Sequence, residues 1–437
     1  MRTRILIANG RVLDPARGID GTMDVWVSGG TMPPCLLAKG VLKRFRENPR
    51  DLPEDARVID ATGLWVTPGF IDMHAHLRDP GQTHKETIES GAMAAAAGGF
   101  TTVCAMPNTS PAIDCAEVAQ YVRNKDACIN VIPVGAITEG LAGARLAPFA
   151  QMKEAGICAV SDDGKTVEDP RLMLEALCEA ARLGLPVLSH CEDLRLAAGG
   201  QVCEGARLAS MAGGPEIKGI PPEAEDIIVA RDIILAKKAG ARLHICHIST
   251  AGAVELVRRA KKDGQKVTAE AAPHHFALTY DDIPGLDGNY KMSPPLRSES
   301  DRAAVIKGLQ DGTVDAIATD HAPHAEREKS GLFTDAPNGV IGLETAFGVA
   351  LTELAGLLSP LEIVAKFTAA PAAILGLGAG SLGAGMPADI ALVDPAAEYA
   401  IDSGAFFSKG RNTPFCGMKV RGRVALAICA GRIVYGG

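Results

Sequence analysis

Residues 69–81 read GFIDMHAHLRDPG. The stretch opens as a buried strand, with Phe70, Ile71 and Met73 apolar, and then sets His74, His76 and Arg78 two residues apart. On a strand, residues i, i+2 and i+4 share a face, so two imidazoles and a guanidinium can point the same way. Such a strand end is either a wet edge or the start of a metal site that also binds an anion.

Working outward, eight short apolar runs alternate with helical patterns. The runs are LWVTPGFIDMH (64–74), TTVCAM (101–106), NVIPVGAI (130–137), ICAVS (157–161), PVLSH (186–190), RLHICHI (242–248), KVTAEAA (266–272) and TVDAIATD (313–320). Between them lie stretches with helical spacing, such as HKETIESGAMAAAA (84–97), RLMLEALCEAARLG (171–184) and EAEDIIVARDIILAKKAG (223–240). Several end in the glycine that stops a helix. This alternation predicts an α/β fold, a (β/α)8 barrel, over residues 67–380. Residues 1–66 and 381–437 hold β-like runs instead. Neither end has enough strands for a stable sheet, so the two are expected to join into one small β-sandwich domain. Between Pro33 and Ala56 the charged run KRFRENPRDLPED reads as an irregular surface insertion.

The bulk composition removes several function classes. The chain has 437 residues, a formal charge of −8 and 47% hydrophobic residues with 4% aromatics. That balance argues against a nucleic-acid binder or a polybasic membrane protein. No run of apolar residues is long enough to span a bilayer. Eleven cysteines without a C-x-x-C pair read as reduced thiols, and a cytoplasmic protein is expected.

The reactive residues fall where a barrel enzyme builds its site, at the C-terminal ends of strands. His74 and His76 end the first strand, and Asn108 follows the second in MPNT. Asp162 and Asp163 follow the fourth in SDDG. His190 ends the fifth, His247 the sixth, and Asp320 the eighth in ATDHAPH. Four histidines and two carboxylates suit zinc. They are too many for one open catalytic ion and fit one bridged pair. A metal pair polarises a carbonyl and acidifies water, which points to hydrolysis or the reverse condensation. Other histidines read as structural: His244 as packing or helix-facing on the opposite strand face, His274 and His275 as loop residues or as ones that hydrogen-bond a ligand from behind, His321 as facing away from Asp320, and His84 as an exposed helix start.

The motifs HAHLRDPG, MPNT, SDDG, LSHCED, CHIST, KMSPPLR, ATDHAPH and GVIGLET together resemble the amidohydrolase superfamily, and within it the dihydroorotases of the longer bacterial type. The resemblance implies metal ligation by His74, His76 and Asp320 on one side and His190 and His247 on the other. Asp163 would bridge them together with a hydroxide, one or two Zn2+ being held per chain. It implies that Asp320 shuttles the proton and that Arg78, Asn108 and His324 hold the substrate carboxylate. The implied reaction interconverts L-dihydroorotate and N-carbamoyl-L-aspartate. A homodimer is expected, and partnership with aspartate carbamoyltransferase is open to such an enzyme. Two features depart from relatives. Many relatives carry a carboxylated lysine on the fourth strand, where this chain has none, leaving Lys165 as a distant second bridge. Ser293 stands where asparagine is more usual. Two other readings are a hydantoinase- or allantoinase-like amidase and a non-catalytic scaffold subunit of the transferase. Cys191 and Cys246 neighbour the ligand histidines and read as buried strand residues, with metal binding as their other reading. Residues 325–339 read either as a substrate-covering loop or as a plain connection.

Overall fold

The computed structural model describes residues 4–32, 37–38, 56–207 and 217–436. Eight parallel strands form a barrel in chain order: β1 (Phe70–Ala75), β2 (Phe100–Ala105), β3 (Asn130–Pro133, continued by Gly135–Ala136), β4 (Val160–Ser161), β5 (Val187–Ser189), β6 (Leu243–Ile245), β7 (Val267–Ala271) and β8 (Ala316–Ile317). The ring closes where Ala75 bridges His321 in parallel and the His76 N–H donates to the His321 carbonyl at 2.8 Å.

Helices cover the outside: α1 (Ile88–Ala97), α2 (Ala116–Asn124), α3 (Phe149–Ala155), α4 (Pro170–Leu183), α5 (Glu223–Ala239), α6 (Ala251–Lys262) and α7 (Glu299–Asp311), with α8 (Ala346–Leu354) and α9 (Pro360–Phe367) after β8. Their ends follow local chemistry. Thr87 caps α1 through the Ser90 N–H in a reciprocal capping box, so the helix begins at Ile88 and not at His84. Asp169 caps α4 with Pro170 in its first turn, and Gly184 closes it in the left-handed conformation.

Alternation along the strands divides two apolar layers. Val103, Val131, Val187, Leu243, Ile245 and Val267 belong to the large cluster packed under the helices. Met73, Cys104, Val134, Cys158, Leu188, Cys246 and Ala316 form a separate inner cluster. The inner set is small, as a closed ring of eight strands requires. Phe70 anchors the base of β1, stacked 4.7 Å from Phe347 and in contact with Phe100 and Phe367.

The two chain ends pair as expected, into an eight-stranded sheet that forms the small β-sandwich. Its main path runs Arg432–Tyr435, Lys419–Cys429, Ile390–Ala400, Trp65–Pro68, Arg4–Asp14, Ile19–Ser28 and Leu37–Ala38, with Arg57–Asp60 beside Arg4–Asp14. It encloses its own core of Ile5, Ile7, Val25, Val66, Ile390 and Ile428. The apolar run expected as one strand over 64–74 is therefore two strands. Trp65–Pro68 joins the terminal sheet and Phe70–Ala75 the barrel. Gly69 sits at the division, where a Cβ would collide with the Thr101 side chain. Of the insertion, Leu37–Ala38 form a short strand against Asp24 and Val25. The charged run 43–55 lies outside the described residues.

Candidate metal centre and active site

Five barrel strands deliver six side chains to one point. β1 brings His74 and leads into His76, the turn after β4 brings Asp163, β5 leads into His190, β6 into His247 and β8 into Asp320. Asp163 is the hub. Its Oδ1 lies 3.3 Å from His74 Nε2, 3.3 Å from His247 Nε2 and 3.6 Å from His190 Nδ1, and its Oδ2 lies 3.3 Å from His76 Nε2. Asp320 Oδ1 stands 3.2 Å from His76 Nε2 and 3.6 Å from His74 Nε2. Ligand atoms around a tetrahedral zinc with bonds of about 2.0–2.1 Å are about 3.3 Å apart, so this spacing fits a cation. The donor chemistry fits as well: His74 Nε2, which faces Asp163 and Asp320, is a buried polar atom without a hydrogen-bond partner, a costly state that a metal bond relieves.

The electrostatics point the same way. Burial alone would raise Asp163, but the charge of His74 and hydrogen bonds from His190 and His247 outweigh it and hold the carboxyl well below its ordinary range. Burial would lower His74, and Asp163 outweighs it in turn. Such mutual dependence of buried carboxylate and imidazoles marks a candidate functional site.

Local backbone places these groups as much as strand parity does. His247 (φ 32°), Asp320 (φ 49°) and Arg78 (φ 61°) all lie in the left-handed region, sparsely populated for such residues and common at functional sites. For His247 the consequence is direct. Its neighbour Cys246 belongs to the inner cluster, so a regular strand would turn His247 outward. The positive φ brings it back. His244 accordingly does not face the helices, as the sequence suggested, but the barrel interior, with Nδ1 2.8 Å from Thr268 Oγ1 and Nε2 3.2 Å from Glu270 Oε2.

Sequence reasoning missed a layer of carboxylates behind the cluster. Glu270, on β7 and fully buried, accepts from His74 Nδ1 at 2.7 Å. Asp72 accepts from the His74 N–H at 3.1 Å, from the Thr319 N–H at 3.1 Å and from its hydroxyl at 2.5 Å, clamping β1 to the end of β8. Burial raises the Asp72 carboxyl to about 7. Glu86 lies 3.5 Å from His321 Nε2, and His321 faces away from Asp320 as expected. The available signal was an acidic residue inside an otherwise apolar strand, as in GFIDMH and VTAEAA.

Of the two adjacent aspartates, Asp162 is occupied structurally, accepting from the Ile137 and Thr138 N–H groups at 2.8 and 3.0 Å. Lys165 donates to the Leu141 carbonyl at 2.9 Å, away from the cluster. Cys246 lies within ligand range of His74 and Asp163, whereas Cys191 turns toward Ser189. His274 and His275 are buried on the short helix Pro273–Ala277. His275 donates to the Pro294 carbonyl at 3.0 Å, and burial lowers His274 to about 4. His84 is exposed, as expected.

Beside the cluster is a cationic pocket wall. Asn108 offers its Oδ1 to His76 Nδ1 at 2.7 Å and keeps its amide nitrogen as a donor. The Lys85 ammonium, which can only donate, lies 3.2 Å from His324 Nδ1. His324 Nε2 therefore carries the proton, and it donates to the Asn338 carbonyl at 2.9 Å. Arg78 Nη2 stands 3.4 Å from that same Nε2. The Arg78 guanidinium is thus held beside a ring fixed on both nitrogens, and it is the planar fork that complements a carboxylate.

Comparison with known proteins follows the same line. A family model described as "Dihydro-orotase-like" matches residues 63–253. A protein of Trichlorobacter lovleyi named dihydroorotase is 47% identical over 437 residues, covering 99% of both chains. Dihydroorotases of Anaeromyxobacter dehalogenans and Pelotomaculum thermopropionicum are each 48% identical, covering 99% of this chain and 98% of theirs. Among solved structures, the L-hydantoinase of Arthrobacter aurescens superposes with a TM-score of 0.84 at 25% identity, covering 100% of this chain and 96% of that one. With near-complete coverage at close to half identity, the chain belongs to the dihydroorotase family.

Proposed function

We infer that this chain is a metal-dependent cyclic amidohydrolase that interconverts L-dihydroorotate and N-carbamoyl-L-aspartate in pyrimidine synthesis. The observation that carries the reading is Asp163 within 3.6 Å of all four cluster histidines, with no lysine beside it. An aspartate hub favours this activity over the hydantoinases, whose bridge is a carboxylated lysine. The presence of all six candidate ligands counts against a non-catalytic scaffold.

The imidazole-rich donor set and its spacing support zinc, one or two ions per chain, held by His74, His76, Asp163, His190, His247 and Asp320. When bound, zinc polarises the scissile carbonyl and provides a water nucleophile at neutral pH. The chain's own residues do the rest. Arg78, His324 and the Asn108 amide nitrogen hold the substrate carboxylate, and Arg78 suits it as a planar fork. That anchors the ring with its amide toward the cluster. Asp320, ionised and 3.2 Å from His76, takes a proton from the attacking water and passes it to the ring nitrogen as the C–N bond breaks. In the reverse direction the same carboxylate removes that proton as the ring closes.

On the same reading residues 67–380 carry the chemistry, while 1–66 and 381–437 form the composite domain, with Trp65–Pro68 leading from one to the other. No helix among the described residues is long and apolar enough to cross a membrane. A cytoplasmic homodimer, with or without aspartate carbamoyltransferase, is the assembly that goes with this function.

The test pairs zinc content with dihydroorotate hydrolysis, followed by loss of ultraviolet absorbance, in wild type and Asp320→Ala. Zinc with turnover that falls at least a thousandfold in the variant, roughly the loss expected when a proton-transfer group goes, supports the assignment. Zinc without turnover points to another cyclic amide or to a required partner. Absence of both leaves only the scaffold reading.

A further inference from the structure

We propose that Glu270 is a positioning residue of the metal centre, and that through it the His74–His76–Asp320 half of the cluster holds its cation more tightly than the Asp163–His190–His247 half. This rests on the metal reading above.

A carboxylate can only accept, so the 2.7 Å contact keeps a proton on His74 Nδ1 and makes Nε2 the nitrogen left to ligate a cation. That Nε2 is the atom facing Asp163 and Asp320. Glu270 is itself buried against a second imidazole. It is 1% exposed, and its second oxygen lies 3.2 Å from His244 Nε2, while His244 is held by Thr268. The partner ligand of the same half is arranged alike, since the Asn108 carbonyl oxygen accepts from His76 Nδ1 and turns its Nε2 to Asp320, 3.2 Å away. Both imidazoles thus arrive with the ligating nitrogen turned to the cluster and the ring fixed from behind.

The other half lacks this support. His190 Nδ1 and His247 Nε2, the nitrogens nearest Asp163, lie 3.0 Å apart and hydrogen-bond to each other. His247 Nδ1 has no partner. Glu192 stands 3.9 Å from His190 Nε2, too far to orient it by a hydrogen bond. A cation entering here must first break the bond between the two rings. Carboxylates that orient ligand imidazoles change metal affinity by about 10–100-fold, so the two halves differ for a stated reason.

The experiment titrates metal-stripped full-length protein with Zn2+ against a chromogenic chelator, and with Co2+ by its visible absorption. Wild type is expected to show two classes of site. Glu270→Gln keeps the shape but not the charge, and should weaken only the tight class, by about 10–100-fold. Two equal sites in wild type, or an unchanged tight class in the variant, would overturn the proposal while leaving the metal reading intact. A wild type that takes up no metal sinks both. Should Glu270→Gln fail to fold by circular dichroism, His244→Asn is put through the same titration. A weakened tight class there supports the proposal and an unchanged one overturns it.

Discussion

An imidazole presents two different nitrogens, and much of this site is decided by which one is already occupied. His74, His76 and His324 each have one nitrogen committed to a side chain behind the site, Glu270, Asn108 and Lys85 respectively. For His324 that nitrogen accepts, and the other donates to the Asn338 carbonyl, which fixes the ring beside Arg78. Burial, with Arg78, Lys85 and Lys329 nearby, pushes the ring down to about 2, and it works as a neutral donor at any ordinary pH. Lys85→Met removes the ammonium that anchors the ring without touching the candidate metal ligands. An indirect loss of about 1 kcal/mol, the size of an ordinary hydrogen bond, predicts a KM for dihydroorotate raised roughly fivefold. Steady-state kinetics should show kcat little changed and recovery in Lys85→Arg. A fall in kcat with KM unchanged would contradict this role.

At the scale of elements, the connection after β8 is the segment whose behaviour sequence left open. It is riveted at several points. Lys329 donates to the Lys291 and Pro337 carbonyls at 3.1 and 2.8 Å, and Lys291 to those of Phe333 and Thr334 at 2.8 and 3.1 Å. Asn412 holds both bases through the Ala322 and Gly339 carbonyls. Gly339 (φ 125°) passes so close to Ala322 and His324 that a Cβ there would clash. Burial, reinforced by Lys291, lowers Lys329 from its ordinary 10.5 to about 7. Between about pH 7 and 10.5 the unfolded chain therefore binds more protons at this lysine than the folded one. This group's share of stability rises with pH across that window. Urea unfolding of wild type and Lys329→Met should diverge in favour of wild type as pH rises from about 7 to 10. Parallel pH profiles would refute the buried, neutralised lysine.

For the molecule as a whole, several barrel strands are very short, β4 and β8 having two residues each. Side-chain ties therefore matter to closure. The candidate ligands come from β1, β4, β5, β6 and β8 or the turns after them, so a bound cation cross-links five of the eight strands. A ligand that binds only the folded chain stabilises it by about 4 kcal/mol at a thousand times its dissociation constant. Removing metal with a chelator should lower the calorimetric Tm by several degrees, and zinc should restore it. An unchanged Tm in protein stripped of measurable metal would show that the barrel closes without it.

The amino-acid sequence by itself determined the eight strands, the pairing of the chain ends and the clustering of His74, His76, His190, His247 and Asp320 at strand ends. Those features depend on local period and on the switch from apolar to polar residues within a few positions, which a linear reading can follow. Three things only the tertiary structure decided. It divided 64–74 at Gly69, because the two halves find different partner strands. It turned His247 inward while His244 stayed inside, because strand parity ends where φ turns positive. And it placed Glu270 behind His74, a contact between residues 196 apart in the chain, which no local pattern encodes. A hydrogen bond is set by where two atoms finish, and that is fixed only when the barrel has closed around them.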